Sequence, residues 1–164
     1  MAKNMTDKKP MSSPMGPKER ALCDRAASEC LANGIRLASR AAGQMYDDAL
    51  RPSGLRGTQF SVLAALFKMG PSTVTDLGER LVLDRTTLSR NLRPLERRGL
   101  VPSAPGRDRR TRFVQLTDLG RETLARALPL WVRVQDELTA ALGESRDRRL
   151  REDLAATVGA AQKR

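Results

Sequence analysis

Residues Leu83 to Leu100, LDRTTLSRNLRPLERRGL, admit few structures other than a short amphipathic helix with a basic outer face. On a helical projection Leu88, Leu92 and Leu95 fall together, at i, i+4 and i+7. Thr86, Ser89, Arg90, Arg93 and Arg97 fall opposite. Asp84 supplies an N-cap carboxylate, and Gly99 a residue free to turn left-handed where the helix ends. A surface helix ordinarily mixes both signs of charge; this outward face carries short hydroxyls, then arginines, and no acid. Thr and Ser are small enough to let a helix approach a base edge, and Arg grips a phosphate or both O6 and N7 of guanine. A solvated basic face is the plain alternative. Pro94 removes the bond its amide would donate to the carbonyl of Arg90. A kink or a loosened turn is therefore expected there, with residues 85–93 as the base-reading part.

The flanking sequence supplies a frame for that helix. Thr58 is expected to cap a helix over 59–69 that turns Phe60, Leu63, Ala64 and Phe67 inward, and Gly70-Pro71 breaks it. Thr73-x-x-Asp76 has the form of a capping box and opens a helix burying Val74, Leu77 and Leu81. Three short helices with tight turns, the last exposing a basic face, describe a helix-turn-helix. Leu100 to Ala104 and Thr111 to Leu116 read as two strands, with Pro105-Gly106 beginning the turn between them. The tip, Arg107-Asp108-Arg109-Arg110, holds three arginines. From Arg85 to Arg112 nine basic residues face two acids, a local charge of +7. Such a tip has the size and charge to enter a minor groove; a loop kept soluble by charge is the alternative.

Both ends of the chain read as helical arms. One helix is expected from Pro17 to Leu50, with Leu22, Ala26 and Cys30 on one stripe and Leu31, Ile35, Ala38, Ala42, Met45 and Ala49 on another. Pro17 suits its first turn, and Pro52 with Gly54 stops it. Thr117 is expected to cap a second long helix carrying Leu119, Leu124, Ala127, Leu128, Trp131, Val134, Leu138 and Leu142, bent at Pro129. Gly143 ends it, and Ser145 is expected to cap a last helix striped by Leu150, Leu154 and Val158. One small domain has nothing large enough to cover these seams, so a homodimer is expected.

Composition narrows the chemistry. Thirty Lys and Arg against 19 Asp and Glu give a net charge of +11 and a pI near 10.9, an excess that favours a polyanionic partner. Membrane surfaces are anionic too, but the longest apolar run, Val62 to Phe67, is far too short to span a bilayer. The first 20 residues carry Lys3, Lys8, Lys9 and Lys18 without an apolar run, unlike a secretory signal. Two cysteines in such a chain suggest free thiols in a reducing cytoplasm. Histidine is absent, which removes the commonest general base and transition-metal ligand. No GxSxG, P-loop, GxGxxG or CxxC motif occurs. Neither an enzyme nor a cofactor or metal site is expected.

From roughly Cys30 to Leu142 the sequence resembles the MarR family of bacterial winged helix-turn-helix regulators. Two stretches carry the likeness: LDRTTLSRNLRPLERRGLV, Leu83 to Val101, and Asp108-Arg109-Arg110 followed by Val114-x-Leu116-Thr117-x-x-Gly120. Tyr46-Asp47 with Leu55-x-x-Thr58-Gln59-Phe60 adds weaker support. The resemblance implies a mainly α fold with a small β-hairpin wing, the winged helix-turn-helix being flanked by dimerisation arms from both chain ends. The parts expected are a disordered basic tail over 1–16, an N-terminal dimerisation helix over 17–52, a DNA-binding region over 55–117 and C-terminal dimerisation helices over 118–164. It implies a cytoplasmic homodimer on a pseudo-palindromic double-stranded operator, usually a repressor, relieved by a small molecule or by thiol oxidation. Carried over, Thr86, Thr87, Ser89 and Arg90 would face bases, Arg93 would hold phosphates, and Arg109 or Arg110 would take the minor groove. Arg85 joins them less securely, since the projection puts it near the apolar face.

Other classes fit the same surface. A nucleoid or RNA-binding module would bind without sequence choice, and a protein-interaction domain would show no salt-dependent binding to DNA. Met45, Tyr46, Phe60 and Trp131 could line a cleft for a small aromatic or phenolic effector, or simply pack in the core. Cys23 and Cys30 stand two helical turns apart, ~10.5 Å of rise. A disulfide needs Cα atoms within ~7 Å, so the two cannot bridge inside one intact helix. Packing residues, an oxidisable thiol favoured by Arg25, or a bridge across the dimer remain open for them.

Overall fold

A computed structural model describes residues 15–105 and 112–163. They form two compact units, one ending at Ala41 and the other beginning at Ala42. In the first, helix α1 covers Pro17–Glu29, and the opening turns of α2, Leu31–Leu50, follow. The single helix expected over 17–50 is therefore interrupted. Cys30 leaves the helical region at φ −70°, ψ 100°, and its carbonyl accepts the amides of Asn33 and Gly34, starting α2 anew. Two local features favour the break. The Ser28 hydroxyl donates to the Asp24 carbonyl at 2.8 Å, a back-bond that competes with the helix ladder. Asn33 and Gly34 are also weak helix formers just beyond it. Among the described residues α1 buries no side chain, so packing supplies nothing to hold the two helices in line.

The second unit carries the core. After α2 and a 3₁₀ turn, Arg51–Ser53, come α3 (Gly57–Met69), strand β1 (Ser72–Thr73), α4 (Val74–Leu81) and α5 (Arg85–Arg97). Strands β2 (Ser103–Pro105) and β3 (Arg112–Val114) precede α6 (Asp118–Leu142) and α7 (Glu144–Gln162). The expected strands are shorter than their apolar runs, because Leu100, Val101 and Leu116 are buried without joining the ladder. The sheet has a third member that the sequence did not announce. Its order is β1-β3-β2, all antiparallel, with Ser72 and Ser103 flanking Val114 and Thr73 and Ala104 flanking Phe113.

Leu88, Leu92 and Leu95 of α5 are each 0% exposed and pack with Leu50, Leu63, Leu66, Leu77, Val114 and Leu124. The core is thus almost wholly aliphatic, with Phe60 its one buried aromatic among the described residues. Phe67, expected inside, is instead 61% exposed. The buried residues of α3 are Phe60, Val62, Leu63 and Leu66, and Phe67 follows them in the last turn of the helix.

Chain ends of the helices follow the local chemistry, with two corrections. Thr73 and Asp76 exchange the two hydrogen bonds of a capping box, at 3.0 and 3.3 Å. Thr117 accepts the Gly120 amide at 2.9 Å. Thr58, however, does not cap α3. The Asp47 carboxylate, arriving from α2, accepts the Gly57 amide at 2.7 Å, and Gln59 accepts the Arg56 amide at 3.1 Å. Ser145 does not cap α7 either, since Gly143 takes that position and its carbonyl accepts the amides of Arg146 and Asp147. Helices α5 and α6 continue through Pro94 and Pro129. At Gly120 a Cβ would lie 2.3 Å from the Leu100 carbonyl oxygen, so only glycine lets α6 leave the sheet so close to the end of α5.

Candidate nucleic-acid interface

Helix α5 is pinned at both ends. Asp84 Oδ1 accepts the amides of Thr86 and Thr87 at 2.9 Å each, and Oδ2 accepts the Thr87 hydroxyl at 2.7 Å. These bonds, the hydroxyl's first, hold the Asp84 carboxyl below its ordinary pKa, so it stays ionised as a cap. At the other end Gly99, at φ 68°, donates to the Glu96 carbonyl while Leu100 donates to the Leu95 carbonyl, both at 2.9 Å. That paired closure is a Schellman motif, and buried Leu95 and Leu100 supply its apolar contact.

With its apolar side sealed, α5 turns Arg85, Thr86, Arg90, Arg93 and Arg97 to solvent, and Thr87 and Ser89 stand half-exposed on the flanks. The structure therefore brings the expected helix residues onto one accessible surface. Arg85 is exposed at the first helical position, and it lines a cavity of about 650 Å³ with Ser89, Val74, Glu79 and Arg112. Arg109 and Arg110, the expected wing contacts, lie outside the described residues, as does the tail of 1–16 up to Pro14.

Several positioning contacts escaped the sequence reading because each joins distant residues. Arg98 donates from Nη1 to the Gly54 carbonyl at 2.5 Å, tying the end of α5 to the turn before α3. Gly54 sits at φ 71°, and a Cβ there would crowd the same guanidinium at 3.2 Å. Arg112 of β3 pairs with Glu96 of α5. Of the nine basic residues between Arg85 and Arg112, Arg98 and Arg112 are thus bound to the protein itself.

The four residues considered for an effector cleft are partly assembled. Phe60 and Trp131 stack, with ring centroids 6.0 Å apart and planes inclined by 14°. Tyr46 donates its hydroxyl to Gln135 Oε1 at 2.6 Å, one turn beyond Trp131 on α6. Burial pushes the Tyr46 pKa up, with Arg151 opposing, so the hydroxyl stays a donor. Met45 is half-buried beside it in the chain. Neither the cavity at α5 nor a second of about 620 Å³, lined by Gln44, Asp47, Arg51 and Arg56, is walled by these four. Cys23 and Cys30 are both free and exposed. The break at Cys30 removes the premise that one intact helix separates them, and Arg25 is engaged by Glu29 at 3.0 Å.

Among the described residues no helix is long and apolar enough to cross a membrane. Residues 53–111 match the model of the MarR family. The chain is 45% identical to the transcriptional regulator MosR of M. tuberculosis, solved in complex with DNA, at a TM-score of 0.74 covering 82% of this chain and 97% of that one. It is 32% identical to the transcriptional repressor CouR, solved on a 23-mer DNA duplex, at a TM-score of 0.72 covering 81% and 95%. An uncharacterised HTH-type regulator of Bacillus subtilis, YkoM, is 32% identical over 60% of this chain and 66% of its own length. Family model, near full-length likeness and the three-helix, small-sheet core agree, and the chain belongs to the MarR family of winged helix-turn-helix transcriptional regulators.

Proposed function

We propose that the protein is a homodimeric regulator that binds a pseudo-palindromic DNA operator through α5. The observation that carries this is the division of α5: one face 0% exposed at Leu88, Leu92 and Leu95, the other presenting Thr86, Arg90, Arg93 and Arg97 without an acid. In this reading Thr86, Thr87, Ser89 and Arg90 meet base edges, with Arg85 beside them, Arg93 holds phosphates, and Arg109 or Arg110 takes the flanking minor groove. MosR and CouR, solved on DNA, support the reading by their likeness over most of this chain. Dimerisation is supported by Leu22, Leu31, Leu37, Leu150, Leu154 and Val158, all large, apolar and exposed. Two copies of α5 would enter successive major grooves ~34–36 Å apart.

The deciding experiment is selection of bound sites from random DNA with the purified protein. A dyad-symmetric motif is expected. Uniform enrichment would instead favour a sequence-indifferent nucleic-acid binder. Arg90→Ala should cost about 1–3 kcal/mol and relax preference at one base position. Arg110→Ala should weaken binding and alter the preference for flanking A·T pairs. If both variants lower affinity equally on every sequence, the base-reading roles are wrong.

Regulation follows the same reading, with repression relieved by a small aromatic or phenolic ligand or by oxidation of Cys23 or Cys30. The stacked Phe60–Trp131 pair and the Tyr46–Gln135 bond favour the ligand, since they join α2, α3 and α6 around aromatic surface. Exposure of both thiols favours oxidation. Operator affinity before and after diamide, in the native protein and in Cys23→Ser and Cys30→Ser, separates the two. Unchanged native affinity removes the redox route.

A further inference from the structure

A hydroxyl has one proton to give and two lone pairs to receive with. The Thr87 hydroxyl gives its proton to Asp84 Oδ2 at 2.7 Å, while Oδ1 of the same carboxylate holds the Thr86 and Thr87 amides in the first turn of α5. Thr87 Oγ1 is left with lone pairs alone for anything that approaches its half-exposed flank. In the major groove, adenine N6 and cytosine N4 donate, whereas guanine and thymine present acceptors, with the thymine methyl beside them. An oxygen that only accepts therefore distinguishes the first two bases from the last two. The carboxylate has a second effect, since it occupies the amide end of α5 that would otherwise attract a backbone phosphate.

We propose that Asp84 sets the base preference of the recognition helix through Thr87: by holding the hydroxyl proton it makes Thr87 an acceptor only, selecting adenine or cytosine at the base facing it. Asp84 is a positioning residue in this scheme, and Thr87 makes the contact. The proposal rests on the sequence-specific reading above.

Asparagine tests it, because Asn and Asp cap helices about equally well. In Asp84→Asn the amide oxygen keeps the two backbone N–H groups and Nδ2 donates to Thr87 Oγ1. The hydroxyl proton then turns outward, and Thr87 gains a donor that guanine and thymine can accept, while one lone pair stays free. Binding sites are selected from random duplex DNA with the full chain, for the native protein, Asp84→Asn, Thr87→Val and Thr87→Ser. The native protein should favour adenine or cytosine at one position of each half-site. Asp84→Asn should admit guanine and thymine at that position, raising their relative affinity about three- to tenfold, the size of one net hydrogen bond. Thr87→Val should flatten the same position, and Thr87→Ser should keep it. A motif shared unchanged by the native protein, Asp84→Asn and Thr87→Val overturns the proposal while leaving sequence-specific binding intact. The absence of any motif with the native protein overturns sequence-specific binding itself, and this proposal with it. Should Asp84→Asn lose its thermal transition, the Thr87→Val and Thr87→Ser pair decides alone.

Discussion

The helix-turn-helix and the helical arms use the same aliphatic residues to opposite ends. In α3, α4 and α5 leucines meet one another inside one chain, and Leu63, Leu77, Leu88, Leu92 and Leu95 reach 0% exposure. In α1 the one leucine, Leu22, stays open at 63%, and in α7 the regularly spaced Leu150, Leu154 and Val158 stay open at 42–43%. The difference lies in what surrounds them. The core helices are short, turned back on one another and closed by the sheet; α7 runs 19 residues with a single buried residue, Asp147, which pairs with Arg151. Periodicity thus tells which face of a helix is apolar, and only the neighbours decide whether that face is satisfied within the chain.

The sharpest way to break the comparison is a cavity in the closed region. Leu92→Ala removes a fully buried side chain and should cost about 2–5 kcal/mol in thermal or urea unfolding. A cost below that range would mean that the leucine cluster is not the stabilising centre. Gly120→Ala comes next, at about 1–3 kcal/mol, because its methyl meets the Leu100 carbonyl rather than a movable side chain. Val82, in the turn between α4 and α5, offers a change of opposite sign. It is a β-branched residue at φ 53° and is largely exposed, so Val82→Asn should stabilise by about 1 kcal/mol.

For the arms the expectation reverses. Leu154→Lys should change the stability of the folded chain by no more than ~0.5 kcal/mol, as surface substitutions do. Its effect should appear instead in sedimentation, as a lower dimer fraction; an unaltered dimer would exclude this stripe from the interface. The smallest effect concerns acid. Asp84 has a lowered pKa in the folded protein, so its contribution is present above the unfolded carboxylate value, ~3.9, and is lost as pH falls through the folded value. Native protein should therefore lose stability below about pH 4 more steeply than Asp84→Asn does.

What was legible in the sequence was what neighbours along the chain decide. Asp84 before Thr86 and Thr87, Thr73 before Asp76, Thr117 before Gly120 and Gly99 after Arg97 all act within a few residues, and each functions as its spacing implied. The leucine triad of α5 belongs to the same class. The cap of α3 did not, because Asp47 reaches Gly57 from ten residues away and displaces the local candidate Thr58. Arg98 to Gly54, Glu96 to Arg112 and the strand at Ser72 escaped for the same reason. The break at Cys30 is different again. It lies in a helix with no buried residue, where weak local preferences go uncorrected by packing.

The Thr117 hydroxyl donates to the Gly99 carbonyl at 2.8 Å, and its amide to the Leu100 carbonyl at 3.1 Å. The segment that leaves α5 at Val101 and returns at Leu116 thereby has its two feet stitched together. Lengthening such a loop is cheap, since doubling it adds only about 0.6 kcal/mol of closure entropy. The stitch consequently separates two design variables: the length between Pro105 and Arg112 can change while the Thr117 bonds still hold the end of α5. Segments of different length grafted between Pro105 and Arg112 would exploit that modularity, since the Thr117 bonds that hold the end of α5 lie outside the graft.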